Sequence, residues 1–350
     1  MPRDTGLNSP LIRRNVLLYG ASVLAALALS ACGGDDSDAG EEDALTVYSG
    51  RSEELIAPLL DQFSEETGIP VEARYGESAE LAATLIEEGE NSPADIYFSQ
   101  DAGSLGATEN EGLLSPLPGS ILKEVDPRFQ SPEGAWVGTS GRARVIAYNT
   151  DALSESDLPE SVLDLTDPEW EGRVGWAPTN ASFQAFVTAM RATEGEEATT
   201  AWLEGMVANG AVAYADNETA RDGVAAGEVD LALINHYYVE QAREEEGEDY
   251  PVDVYFAPGG DVGSLVNVAG VGEVAGTDRS EEARRLIEFL LEPEAQEFFT
   301  EETKEYPLVA GIEPDPDLVP LDEIEQPDVD LSDLDDLQGT LELLEETGAL

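Results

Sequence analysis

The chain holds one cysteine, one histidine and only 17 lysines and arginines against 75 aspartates and glutamates. Each scarcity excludes something. A single cysteine permits no intramolecular disulfide, so the fold must rest on its core even in an oxidising compartment. A single histidine leaves no set from which to draw a catalytic base, and the sequence has no Gly-x-Ser-x-Gly elbow, His-Glu-x-x-His pair or phosphate loop, so nothing marks an enzyme. Lysine is confined to Lys123 and Lys304, and a formal net charge of −58 repels nucleic acid. The acids are spread along the chain and the hydrophobic content is 41%, enough for a core beneath a solvated acidic surface. This reads as a folded, halophilic protein for which salt screens the self-repulsion; a general role of the carboxylates in collecting cations is the alternative.

No apolar run is long enough to cross a bilayer, which takes roughly 20 residues. The run from Val16 to Leu29 follows Arg13-Arg14 and ends in Leu29-Ser30-Ala31-Cys32. Basic residues, a short apolar stretch and small residues before a cysteine make an export signal of the lipoprotein kind, with the Cys32 thiol accepting the lipid. The arginine pair leaves the Sec and twin-arginine routes both open. Residues 1–32 are thus assigned to the signal, and the acidic, glycine-containing stretch 33–44 to a flexible tether.

Beyond the tether, strand and helix patterns alternate. Leu45-Thr46-Val47-Tyr48 has strand character; Leu55, Ile56, Leu59, Leu60 and Phe63 recur at helical spacing before Gly68 and Pro70. Strands are predicted at 71–75, 95–98, 141–148, 174–177, 231–234 and 263–274, with helices around 81–86, 182–193, 197–207, 281–291 and 339–347. Pro314 to Asp336 reads as an acidic surface-following tail. The alternation argues for α/β layers, and two such sheets would meet at a ligand cleft beyond the carboxyl ends of their strands.

Seven segments carry a resemblance in order and spacing: Leu45–Arg51, Ser92–Ile96, Gly112–Leu117, Gly141–Val145, Gly227–Asp230, Asn235-His236-Tyr237-Tyr238 and Glu305-Tyr306-Pro307-Leu308. Together they resemble the bacterial ferric-iron-binding proteins, substrate-binding components of ABC importers in the type II, cluster D class of periplasmic binding proteins. The resemblance implies a two-lobed α/β fold with two mixed sheets flanked by helices, joined by two crossing strands around a cleft. On it, 45–143 with 268–312 form lobe 1, and 144–267 with 313–350 form lobe 2.

Ferric iron is a hard cation suited to oxygen ligands, and a bound trivalent ion holds tyrosine ionised far below its free pKa of about 10. By residue type alone Tyr237-Tyr238 reads first as two aromatics packing at a strand end; the resemblance makes the pair the iron ligands. It further implies a synergistic anion, carbonate or phosphate, at the position of Asn180, Ala181 and Ser182 with Asn217 and Asn235. The free amides of a helix start suit an anion there, and Arg142 and Arg144, two apart on a strand, face one side and add charge. Helix capping for Asn180 and a surface ion pair for either arginine are the plainer readings. Ser52 and Gln100 stand where one branch of the family carries histidine and glutamate. Gln100, Tyr48 and Glu53 are further candidate oxygens, while His236 is expected to point away from the cleft. The expected protein is therefore a monomeric, non-enzymatic lipoprotein on the outer face of the cell membrane, passing ferric iron to permease and ATPase subunits. Another small solute (phosphonate, thiamine or polyamine) or a sensory role is the alternative, because fold alone does not fix the ligand.

Overall fold

The structure, a computed structural model, describes residues 44–247 and 249–350. Cys32, the signal and all of the tether but Ala44 lie outside the described residues. The first half runs β1 (Leu45–Ser49), α1 (Glu53–Thr67), β2 (Val71–Tyr75), α2 (Ser78–Glu88), β3 (Ile96–Ser99), α3 (Ala102–Asn110), β4 (Leu114–Ser115), α4 (Gly119–Leu122) and β5 (Trp136–Asn149). There follow β6 (Val174–Trp176), α5 (Ala181–Glu194), α6 (Glu196–Ala208), β7 (Val212–Ala213), α7 (Asn217–Ala225), β8 (Leu231–Asn235), α8 (Tyr237–Glu246) and β9 (Val252–Tyr255). The chain returns through β10 (Val266–Val274), α9 (Ser280–Leu290), α10 (Pro293–Thr303), β11 (Tyr306–Pro307) and α11 (Leu337–Thr347).

The strands form two mixed sheets that share β5. In the first, β1 lies parallel between β2 and β3, and β10 runs antiparallel to both β3 and the opening half of β5. In the second, the closing half of β5 is antiparallel to β8 and β9, while β6 is parallel to β8 and β7. The handover falls between Ala143, which pairs with Val266, and Arg144, which pairs with Asn235. All fourteen residues of β5 are buried, as expected of a strand covered on both faces.

Local chemistry sets the element ends. In α1 the apolar positions Ile56, Leu59, Leu60 and Phe63 are buried, and Gly68, at φ 73°, closes the helix in the left-handed region with its N–H donating to Ser64 O. At α5 the Asn180 side chain accepts from Ser182 N–H. The acidic tail departs from the expected surface course. Leu318, Ile324, Leu331 and Leu334 are buried, and the single turn Leu331–Asp335 packs against both α3 and α5 while α11 packs on α5 and α6. Small residues allow this approach: a Cβ on Gly103 would lie 2.2 Å from Leu334 O, and one on Gly106 2.3 Å from Ser332 O. The stretch assigned with lobe 2 thus also touches a helix of the first-sheet side.

Candidate functional site

Arg144 opens the second half of β5 and is 3% exposed. Its Nη1 donates to Asn235 Oδ1 at 3.1 Å, Ser182 Oγ at 3.1 Å and Asn217 Oδ1 at 3.5 Å, and its Nη2 donates to Leu233 O at 2.8 Å. Phe186 lies under the guanidinium, 5.6 Å from its carbon to the ring centroid. All of these partners are neutral. Burial pushes the arginine down to about 9, with the hydroxyls of Tyr237 and Tyr238 pulling the other way. Ser182 Oγ also donates to Asn180 Oδ1 at 2.6 Å and accepts from Asn217 Nδ2 at 3.3 Å. The anion candidates Asn180, Ser182, Asn217, Asn235 and Arg144 therefore form one connected network, with the exposed Ala181 beside it.

Tyr237 and Tyr238 begin α8, directly after β8, rather than ending a strand. Their ring centroids are 4.3 Å apart with 36° between planes, and both side chains are half-buried. Burial, and then the neighbouring Tyr237, raise Tyr238 above the ordinary tyrosine value, with Asn217 opposing. Arg221 from α7 steadies the turn, its Nη1 donating to Tyr238 O at 3.0 Å. His236 is fully buried and turned to the backbone. Its Nδ1 accepts from Ala143 N–H at 3.2 Å, Nε2 lies 2.9 Å from Lys304 O, and the ring stacks on Tyr306 at 4.6 Å. Burial lowers its pKa to about 4, so it stays neutral at ordinary pH.

Arg142, two residues before Arg144, meets different company. Glu305 accepts from Arg51 through two bonds of 3.1 Å and from Ser140 Oγ at 2.5 Å, and lies 3.8 Å from Arg142 Nε. Burial acts to raise the Glu305 carboxyl, but Arg51 and Arg142 outweigh it and hold it below the usual range. Gln100 Oε1 accepts from Arg51 Nη1 at 3.0 Å. Tyr48 lies apart from the tyrosine pair's network: its hydroxyl donates to Glu88 at 3.1 Å and accepts from Arg74 Nη1 at 3.1 Å. Glu53 is exposed in the first turn of α1. Asn267 on β10, opposite Arg142, is a lining residue that sequence reasoning missed; a lone amide in the otherwise apolar run Val266–Gly272 was its signal.

A cavity of about 600 Å³ opens between the two sheets, lined by Gln100, Arg142, Arg144, Ser182, Asn235 and Asn267 among others, with the tyrosines flanking the Arg144 network beside it. Among the described residues no group of three or more histidine, cysteine or acidic side chains is placed to hold a metal.

Residues 91–330 match the family described as bacterial extracellular solute-binding protein. The chain belongs to that family. This solute-binding protein is 34% identical over 338 residues to the Fe(3+)-binding periplasmic protein of Serratia marcescens, covering 96% of the chain and 97% of the relative. Its fold is similar to that of iron-bound HitA from Pseudomonas aeruginosa, with TM-score 0.79 and 35% identity over 87% of the chain and 99% of that protein. It also matches IdiA (FutA) of Trichodesmium in complex with iron and citrate, with TM-score 0.77 and 30% identity over 87% and 99%. The two-lobed type II fold and the non-enzymatic class expected from the sequence therefore hold.

Proposed function

We propose that the protein captures ferric iron with a synergistic anion, carbonate or phosphate, and delivers it to the permease and ATPase of an ABC importer. In this reading it works as a monomer, anchored to the outer face of the cell membrane through lipid on Cys32. The observation that carries the reading is two phenol rings in contact beside a buried arginine whose bonded partners are all neutral. Relatives named for binding ferric iron support it.

The charge balance fits. Fe(III) with two phenolates leaves one positive charge and Arg144 adds another, so a dianion at Asn180, Ser182, Asn217 and Asn235 neutralises the site. Without metal Tyr238 is protonated, since its pKa is raised. Binding then releases protons, and iron affinity rises with pH.

Ferric salt added with carbonate is expected to give a visible band from phenolate-to-iron charge transfer. Tyr237→Phe and Tyr238→Phe each keep the ring and delete the oxygen. Either change should bleach the band and weaken iron binding by orders of magnitude, with at most about 1–2 kcal/mol lost from the apo fold. One equivalent of iron retained by the double variant would sink the assignment. The anchor is tested separately: Cys32→Ser should abolish lipid labelling and membrane association. Halophily predicts an unfolding midpoint that falls as salt drops from 1 M to 0.1 M, where the screening length grows from about 3 to about 10 Å; a flat midpoint would remove that argument.

A further inference from the structure

Among the described residues Lys304 is the one non-glycine with a positive φ, at 57°. It closes α10 in the left-handed region, where a residue with a Cβ stands only against a steric cost, and such outliers persist where their surroundings over-determine them. Much of what holds this one comes from α8. His236 Nε2 lies 2.9 Å from Lys304 O. Farther along the helix, Glu244 accepts from Lys304 Nζ and Thr303 O accepts from Gln241 Nε2, both at 3.5 Å; Asp315 also accepts from Lys304 Nζ, at 3.1 Å.

The histidine occupies a position whose usual task it does not perform. It is the N-cap of α8, yet its side chain makes no capping bond, where serine, asparagine or aspartate would. Instead the ring turns to the crossing strand. Ala143 N–H donates to Nδ1 at 3.2 Å while His236 N–H donates to Ala143 O at 3.0 Å, so one residue satisfies both backbone groups of Ala143. An Nδ1 that accepts puts the ring proton on Nε2, which therefore donates to Lys304 O. β5 pairs with β11 through Ser140 and Gly141 and with β8 from Arg144 onwards; the imidazole fills the step between them, stacked on Tyr306.

Lys304 leads straight into Glu305, which accepts from Arg51, and Arg51 holds Gln100 on the cavity wall. His236 leads straight into Tyr237, with ring centroids 5.6 Å apart. Asn235 and Arg221 tie the tyrosine turn to the second-sheet side. His236 ties it to the first.

We propose that His236 is the positioning residue of the tyrosine pair: clamped between Ala143 and Lys304, it sets where Tyr237 and Tyr238 stand relative to the first-sheet wall, and so the geometry with which they hold their cargo. The inference rests on the reading of the two tyrosines as ferric ligands and gives the histidine no bond to the metal.

The full chain is prepared with 3-fluorotyrosine and studied in high salt, with and without ferric salt and carbonate. His236→Leu keeps a buried side chain and deletes both ring nitrogens. His236→Gln also lacks the ring but carries an Nε2–H that reaches Lys304 O; the difference between the two variants therefore reports the bond and not the lost ring current. Leucine should weaken iron binding about 10- to 100-fold, as loss of an outer-shell support does, and move the visible band, while glutamine recovers most of both. In metal-free protein the fluorine signals of Tyr237 and Tyr238, assigned through their phenylalanine variants, should separate the two in the same order, with those of Tyr97 and Tyr255 unmoved. If His236→Leu does not fold, Lys304→Val displaces the receiving carbonyl instead, because a β-branched residue does not settle in the left-handed region, and the same loss is expected. Equal iron affinity in the wild type and the leucine variant, equal losses with leucine and glutamine, or signals that move throughout the protein overturn the proposal and leave His236 a satisfied core residue. Wild-type protein that takes up no iron, with metal-free signals that still distinguish leucine from glutamine, would sink the iron reading and keep the positioning one.

Discussion

Two buried arginines, two residues apart on β5, have opposite surroundings. Arg142 stands with Arg51 around Glu305, a carboxylate that also accepts from Ser140. Arg144 has three amides or hydroxyls, one carbonyl and an aromatic face, with no carboxylate among its bonded partners. The first arrangement gives two cations one shared carboxylate and ties the end of β1 to β11 and the crossing strand. The second leaves a cation in need of an anion from outside. Burial alone does not make an ionisable residue functional; what marks it is the missing counter-charge.

The contrast can be broken by substitution. Glu305→Ala strands two buried guanidinium groups and should cost about 3–5 kcal/mol of stability in denaturant unfolding. A loss below about 1 kcal/mol would show that Glu305 does not hold the two guanidinium groups in place. The next effect comes from His236, which sits at the same junction with only backbone partners. The fold keeps it neutral down to about pH 4, whereas the unfolded chain protonates it near 6.5. The unfolded state therefore gains its proton first, and stability falls as pH drops through that window, by about 3 kcal/mol at 1.36 kcal/mol per unit. His236→Gln should flatten that part of the acid limb, measured as unfolding free energy at pH 7, 5.5 and 4; an unaltered slope would assign the acid sensitivity to other groups. The smallest stability effect is expected for Arg144→Met, within about 2 kcal/mol, because removing this charge leaves only neutral groups behind. Its binding effect should be large: loss of anion-supported iron uptake by tenfold or more. If Arg144→Met costs as much stability as Glu305→Ala, the distinction between the two arginines collapses.

Much of this was open to a reader of the sequence, and the exceptions have physical causes. α1 is legible because Ile56, Leu59, Leu60 and Phe63 carry a helical period. α3 is not, since Ala102, Gly103, Ser104 and Gly106 bury small residues that hold no such signal. The tail's burial is hidden because Leu318, Ile324, Leu331 and Leu334 stand singly among acids. Tyr237-Tyr238 and the asparagines were singled out through the resemblance, and the structure brings Asn180, Asn217 and Asn235 into one network with Arg144, a grouping that periodicity does not carry. Adjacent spacing foresaw that Arg142 and Arg144 share a side. It did not foresee that β5 changes sheets between them, which gives each a different set of neighbours.

The turn Leu331–Asp335 and the start of α11 contribute Leu334, Asp335, Leu337 and Gln338 to the cavity wall. That wall is therefore built by a segment remote in sequence from both sheets and seated against the glycine face of α3. Its buried Leu331, Leu334, Leu343 and Leu344 belong to the same core as the helices it covers, so the cavity wall and the core share their anchorage. A change that loosens the seat of Leu334 on Gly103 therefore reaches the cavity wall and the core together.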